Sequence, residues 1–104
     1  NMDELNYIEI NISDIGNEIN MIIDVKGLFV ITNHFKKNIT KDKINDLLRI
    51  IRTWDNVYSN PNVIDAESFF IKINTKDGIE IIKGSGDYPN DYILLKEWIS
   101  GFNE

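Results

Sequence analysis

The sequence predicts a single α+β domain: an antiparallel sheet of four to five strands with two helices packed on one face. Three observations carry this. Tyr7-Ile8-Glu9-Ile10-Asn11-Ile12 and Phe69-x-Ile71-x-Ile73 alternate with the period of two that a half-buried strand requires. Two other stretches, Ile44 to Trp54 and Leu94 to Phe102, repeat apolar residues at helical spacing. The chain has 104 residues, 42% hydrophobic and 27% charged, which is enough for one core and too little for two. The expected order is hairpin, helix, hairpin, helix. Asn1 ahead of Met2 reads as an added residue, so the expected domain is 2–104.

In chain order, the first strand centres on Ile8, Ile10 and Ile12. Ser13-Asp14-Ile15-Gly16-Asn17 has turn chemistry, and Ile19 to Val25 forms a second strand. Leu28 to Ile31 either continues that strand past a bulge at Gly27 or pairs with it across a tight turn there; the residues leave both open. Thr40 is a good N-cap, and Asp42 suits the first helical turn. Ile44, Leu47, Leu48, Ile51 and Trp54 then form the inner stripe of an amphipathic helix. Residues 55–66 read as a loop. Phe69 to Ile73 and Ile79 to Lys83 flank Asp77-Gly78, a hairpin signal in which Gly78 takes a positive φ. Gly84-Ser85-Gly86 ends the last strand. A second helix starts around Tyr88-Pro89-Asn90-Asp91, with Leu94, Leu95, Trp98, Ile99 and Phe102 facing inward and Gly101 as its stop.

The absence of cysteine excludes disulfides, zinc–thiolate sites, iron–sulfur clusters and cysteine nucleophiles. No apolar run approaches the roughly 20 residues of a membrane span, and no leader pattern opens the chain. A cytoplasmic protein is expected. The formal net charge is −6, distributed unevenly. Residues 1–35 carry −5, residues 36–52 carry +4, and residues 53–104 carry −5. An acidic chain is a poor partner for nucleic acid or an anionic membrane, because phosphates require a basic footprint.

From Trp54 onward the chain reads Trp54-xxx-Tyr58-x-Asn60-Pro61-xxx-Asp65, then Phe69-x-Ile71-x-Ile73, Gly78, and Gly84-Ser85-Gly86-x-Tyr88-Pro89-xx-Tyr92. This pattern resembles a group of small uncharacterised proteins of Gram-positive bacteria and phages, whose typical segment is Gly-Ser-Asn-x-Tyr/Phe-Pro-x-Asn-aromatic. Gly86 stands here in place of the Asn, and Ala66 where an Asp-Gly would precede the aromatic strand. The resemblance covers under half the chain. It implies an intact fold and assigns no activity.

The candidate chemistry is sparse. Gly84-x-Gly86 between a strand and a helix has the place of a phosphate cradle, but it lacks the third Gly and a following Lys-Ser/Thr, and Asp87 and Asp91 repel anions. It reads as a strand exit. His34 is the only histidine and reads as a strand-end residue. The acidic pairs Asp65/Glu67, Asp87/Asp91 and Asp3/Glu4 lack the pattern of a cation loop, and they read as solvated charge. No Gly-x-Ser-x-Gly or Ser-x-x-Lys motif is present. No cofactor and no catalytic set are expected.

The expected role is a small acidic, non-catalytic binding module for another, basic protein, of the immunity-protein or nuclease-inhibitor kind. Asp65, Glu67, Phe70, Asp87 and Tyr88 are its candidate contacts, because acids steer a basic partner and Phe70 faces away from Phe69 on one strand. The alternative is a nucleic-acid-associated regulator using Lys36, Lys41, Lys43, Arg49 and Arg52.

Overall fold

A computed structural model describes residues 2–103; Glu104, the last residue of the expected domain, lies outside them. The domain is α+β, as expected, and its sheet is larger than expected. The strands are β1 (Leu5–Asp14), β2 (Asn17–Asp24), β3 (Phe29–Thr32), β4 (Lys36–Asn38), β5 (Val57–Ser59), β6 (Ser68–Thr75) and β7 (Gly78–Ser85). The helices are α1 (Lys41–Ile51) and α2 (Tyr92–Ser100). All seven strands join one sheet in the order β4-β3-β2-β1-β6-β7-β5.

The expected hairpin–helix–hairpin–helix order therefore becomes a four-stranded meander, a helix, a short edge strand, a hairpin and a helix. Two edge strands account for the difference. β4 is Lys36-Lys37-Asn38, which carries no apolar alternation because it is an edge. β5 lies inside the expected loop 55–66 and pairs in parallel with β7, Val57 against Lys83 and Ser59 against Ser85. Gly27 is part of a tight turn, not a bulge: Val30 pairs with Ile23, and the Asp24 carboxylate accepts from the Gly27 N–H at 2.7 Å.

Register divides the sheet into two faces. Ile8, Ile10 and Ile12 of β1 stand opposite Ile23, Met21 and Ile19 of β2, and opposite Ile73, Ile71 and Phe69 of β6. Both helices cover this face. α1 buries Ile44, Leu47, Leu48 and Ile51, and α2 buries Tyr92, Leu95, Trp98 and Ile99. The Trp98 indole N–H donates to the Lys43 carbonyl at 2.9 Å, tying one helix to the other. The alternate residues, among them Tyr7, Glu9, Ile22, Phe70, Lys72 and Ile81, stand on the second face, which no element of the described chain covers.

Local chemistry accounts for the ends. The Thr40 hydroxyl accepts from the Lys43 N–H at 3.1 Å, so the N-cap expectation holds. The helix ends earlier than expected, and Trp54 packs beyond it. β6 and β7 are joined by the two residues Lys76-Asp77, with Gly78 at φ +145°, the positive φ expected of it. In α2, Tyr92 replaces the expected Leu94 on the inner stripe, and Leu94 stays exposed. Gly101 does not take the left-handed stop. Its φ is −59°, and the chain runs on into a 3-10 turn that buries Phe102.

Candidate interaction surface

One end of the sheet gathers four of the five candidate partner contacts, Asp65, Glu67, Asp87 and Tyr88. Ser13 pairs with Ser68, and Ser68 with Ser85, so three chain segments meet there. They are the tip of the β1–β2 hairpin (14–17), the loop entering β6 (60–67), and the exit from β7 (86–91). Their acids are Asp14, Asp65, Glu67, Asp87 and Asp91, and the nearest base on α2 is Lys96.

This end stands on a packed aromatic base. Phe69 lies 5.0 Å from the Tyr92 ring, 5.8 Å from Trp54, and 6.3 Å from both Tyr58 and Tyr88. The polar atoms of these side chains then tie down the loops. The Tyr88 hydroxyl donates to the Glu67 carbonyl at 2.6 Å. The Tyr92 hydroxyl donates to the Glu67 carboxylate at 2.7 Å, and Lys96 Nζ reaches the same carboxylate at 3.0 Å. The Asp55 N–H donates to the Tyr58 hydroxyl at 2.8 Å, and the Trp54 indole N–H to Asp91 Oδ1 at 2.7 Å. Burial first, and the Glu67 carboxylate second, hold the Tyr92 hydroxyl protonated well above the ordinary tyrosine range.

These contacts explain the C-terminal pattern. Trp54, Tyr58, Tyr88 and Tyr92 are the aromatic base itself. Gly84 faces the Phe69 ring where a Cβ would collide with it. Gly86, at φ +76°, lies against the Asn60 carbonyl and has no room for a side chain. No phosphate cradle forms there, because the Gly86 N–H donates back to the Tyr88 hydroxyl at 3.3 Å.

The five candidate contacts separate by role. Asp65 and Asp87 are exposed at this end. Glu67 is half-buried and engaged by Tyr92 and Lys96, so the expectation that it is a free surface charge is corrected. Tyr88 is half-buried and props the loop. Phe70 lies on the uncovered sheet face, in register with Asn11 and Lys83, between two hollows; the larger, about 470 Å³, is lined by Val57, Ser59, Ser68 and Lys83 among others.

The sequence reading missed two residues. Ile15 at the hairpin tip is 73% exposed, and Ile64 in the loop is 86% exposed. Their signal was legible: an isoleucine inside a turn segment has no core to enter.

The basic segment does not form one surface. Lys36 lies over the Phe29 ring at 4.5 Å on the uncovered face, whereas Lys37 donates to the Phe102 carbonyl on the helical side. Lys43 stacks on Trp98 and Phe102, Arg49 pairs with Asp46 at 2.6 Å, and Arg52 lines a separate hollow with Glu4 and Glu80. Lys41 is exposed at the start of α1. Among the described residues no group of three or more His, Asp or Glu side chains is placed to hold a metal ion, and no helix is long and apolar enough to cross a membrane.

No protein-family model matches this chain, and no curated protein or solved structure matches it. The fold and the site define a two-layer α+β domain with an acidic end braced by aromatic residues.

Proposed function

We propose that this protein is a non-catalytic binding module that holds a basic protein through its acidic end, as an immunity protein or a nuclease inhibitor does. One observation carries the reading. Ile15 and Ile64 stand exposed, each next in the chain to an exposed acid, Asp14 and Asp65, at an end held firm by the Tyr88, Tyr92 and Lys96 contacts to Glu67. Exposed isoleucines beside exposed acids are what a basic partner fits: the acids steer the encounter, and the isoleucines fill a pocket in the complex. The preformed loops lower the ordering cost of binding.

The test uses photo-crosslinking from position 64 in cells to identify the partner, followed by association kinetics with the purified pair. The expected partner is basic, and its on-rate falls as salt rises. A nucleic-acid ligand whose binding disappears in Arg49→Glu/Arg52→Glu would replace this reading with the regulator alternative.

A further inference from the structure

The uncovered sheet face differs from the acidic end in its charge. Its strand residues include three acids, Glu9, Glu18 and Asp24, and three lysines, Lys36, Lys72 and Lys83. On a chain of net charge −6 this face is balanced, so a second acidic copy meets no net repulsion there. It is also apolar for a solvent-facing surface. Tyr7, Ile22, Ile31, Val57, Ile79 and Ile81 are each between 39% and 58% exposed.

Register shows how two copies would fit. One row across the sheet reads Lys36–Ile31–Ile22–Glu9–Lys72–Ile81, from β4 to β7. The four long strands are β2, β1, β6 and β7, so the middle of the broad part of the face runs between β1 and β6. A two-fold axis along that line, parallel to the strands, lays β1 over the partner's β6 and β2 over the partner's β7. Glu9 then faces Lys72 of the other copy, and Ile22 faces its Ile81. Because Glu9 and Lys72 sit next to the axis, the pairing survives the roughly 30° rotation between aligned stacked sheets. Within one chain these two residues are direct cross-strand neighbours, yet they form no ion pair among the described residues.

The overlapping area is close to what a stable dimer needs. The axis superposes the four long strands, which at about 4.8 Å spacing and about 3.3 Å per residue present roughly 540 Å² in projection. Stable interfaces bury roughly 600–1,000 Å² per partner.

We propose that the protein is a homodimer formed by face-to-face packing of its uncovered sheet face, in a register set by reciprocal Glu9–Lys72 pairs. Phe70 belongs to this interface and not to the acidic end. The axis along the strands points both acidic ends the same way, so the dimer presents two copies of that end. The dimer does not rest on the function proposed above, and its test touches none of the residues of the acidic end.

The experiment is sedimentation equilibrium of the full chain and of Glu9→Lys and Lys72→Glu, alone and mixed in equal amounts. Circular dichroism reports whether each variant is folded. Wild type is expected at twice the 12.1 kDa chain mass. Each single variant places like charges across both pairs and is expected at the monomer mass. In the mixed dimer the introduced lysine faces the introduced glutamate across one pair, and the native Glu9 faces the native Lys72 across the other. The mixture is therefore expected to recover the dimer mass, a rescue that no loss of fold would produce. Should a charge variant fail to fold, Ile81→Ser leaves the core untouched and is expected to raise the dissociation constant at least tenfold. A wild-type chain that stays monomeric at about 100 μM, where even a micromolar interface is populated, overturns the proposal. So do single variants that stay dimeric, or a mixture that stays monomeric.

Discussion

Gly86 and Gly78 both hold a positive φ, and their surroundings separate them. Around Gly78 nothing lies within 4 Å of the position a Cβ would take, so Gly78→Ala costs only the backbone strain, about 1 kcal/mol. At Gly86 the same change adds a collision with the Asn60 carbonyl. Gly86→Ala is therefore expected to lower stability by clearly more than Gly78→Ala in urea denaturation. Tyr92 carries a pH prediction. Its hydroxyl is held protonated in the fold, while the unfolded chain ionises near the ordinary value of about 10. The contribution is fully present below that pH and is lost as pH rises above it, because the unfolded state alone releases the proton. Tyr92→Phe removes the titrating group. Its stability curve is expected to fall less steeply than wild type above about pH 10, measured by urea midpoints across the alkaline range.

Between residues and fold, α1 and α2 are built differently. α1 is strongly amphipathic and properly capped, so its start at Thr40 and its inner stripe were legible, whereas its end at Ile51 falls short of the expected Trp54. Thr40→Ala is expected to cost about 1 kcal/mol, the usual value of a lost N-cap. Leu48 lies on its buried stripe at 8% exposure, and Leu48→Ala is expected to cost about 2–5 kcal/mol in thermal or urea unfolding. The N-cap of α2, Asp91, makes no side-chain cap, because its carboxylate accepts from the Trp54 indole. A tertiary contact has taken over a residue whose type promised a local one. The missed strands share one cause. β4 and β5 are three residues each at the edges of the sheet, and their place comes from the backbone of β3 and β7, which leaves no period in their own side chains.

For the whole molecule, charge distribution decides how partners are met. Asp65 and Asp87 are exposed at the acidic end, whereas Glu67 is held by Tyr92 and Lys96. Asp65→Lys/Asp87→Lys is expected to slow association with the proposed basic partner by about tenfold at low salt, with an unchanged melting temperature. The gap is expected to close at high salt, where exposed charges are screened within about 3 Å at 1 M. Glu67→Lys is expected to lower the melting temperature instead, since it breaks the cluster beneath the loop. The sequence by itself determined the class of fold, the central strands β1, β2, β6 and β7, both helices and the split of Phe69 from Phe70 across one strand. Each of these rests on a local period, the alternation of a half-buried strand or the stripe of a half-buried helix. Only the tertiary structure decided that Ser13, Ser68 and Ser85 meet at one end, that the turn of Ile15 and the loop of Ile64 lead to that end, and that the lysines of 36–52 scatter. Those are matters of which strands pair and which loops meet. They depend on contacts between residues far apart in the chain, and no local periodicity encodes them.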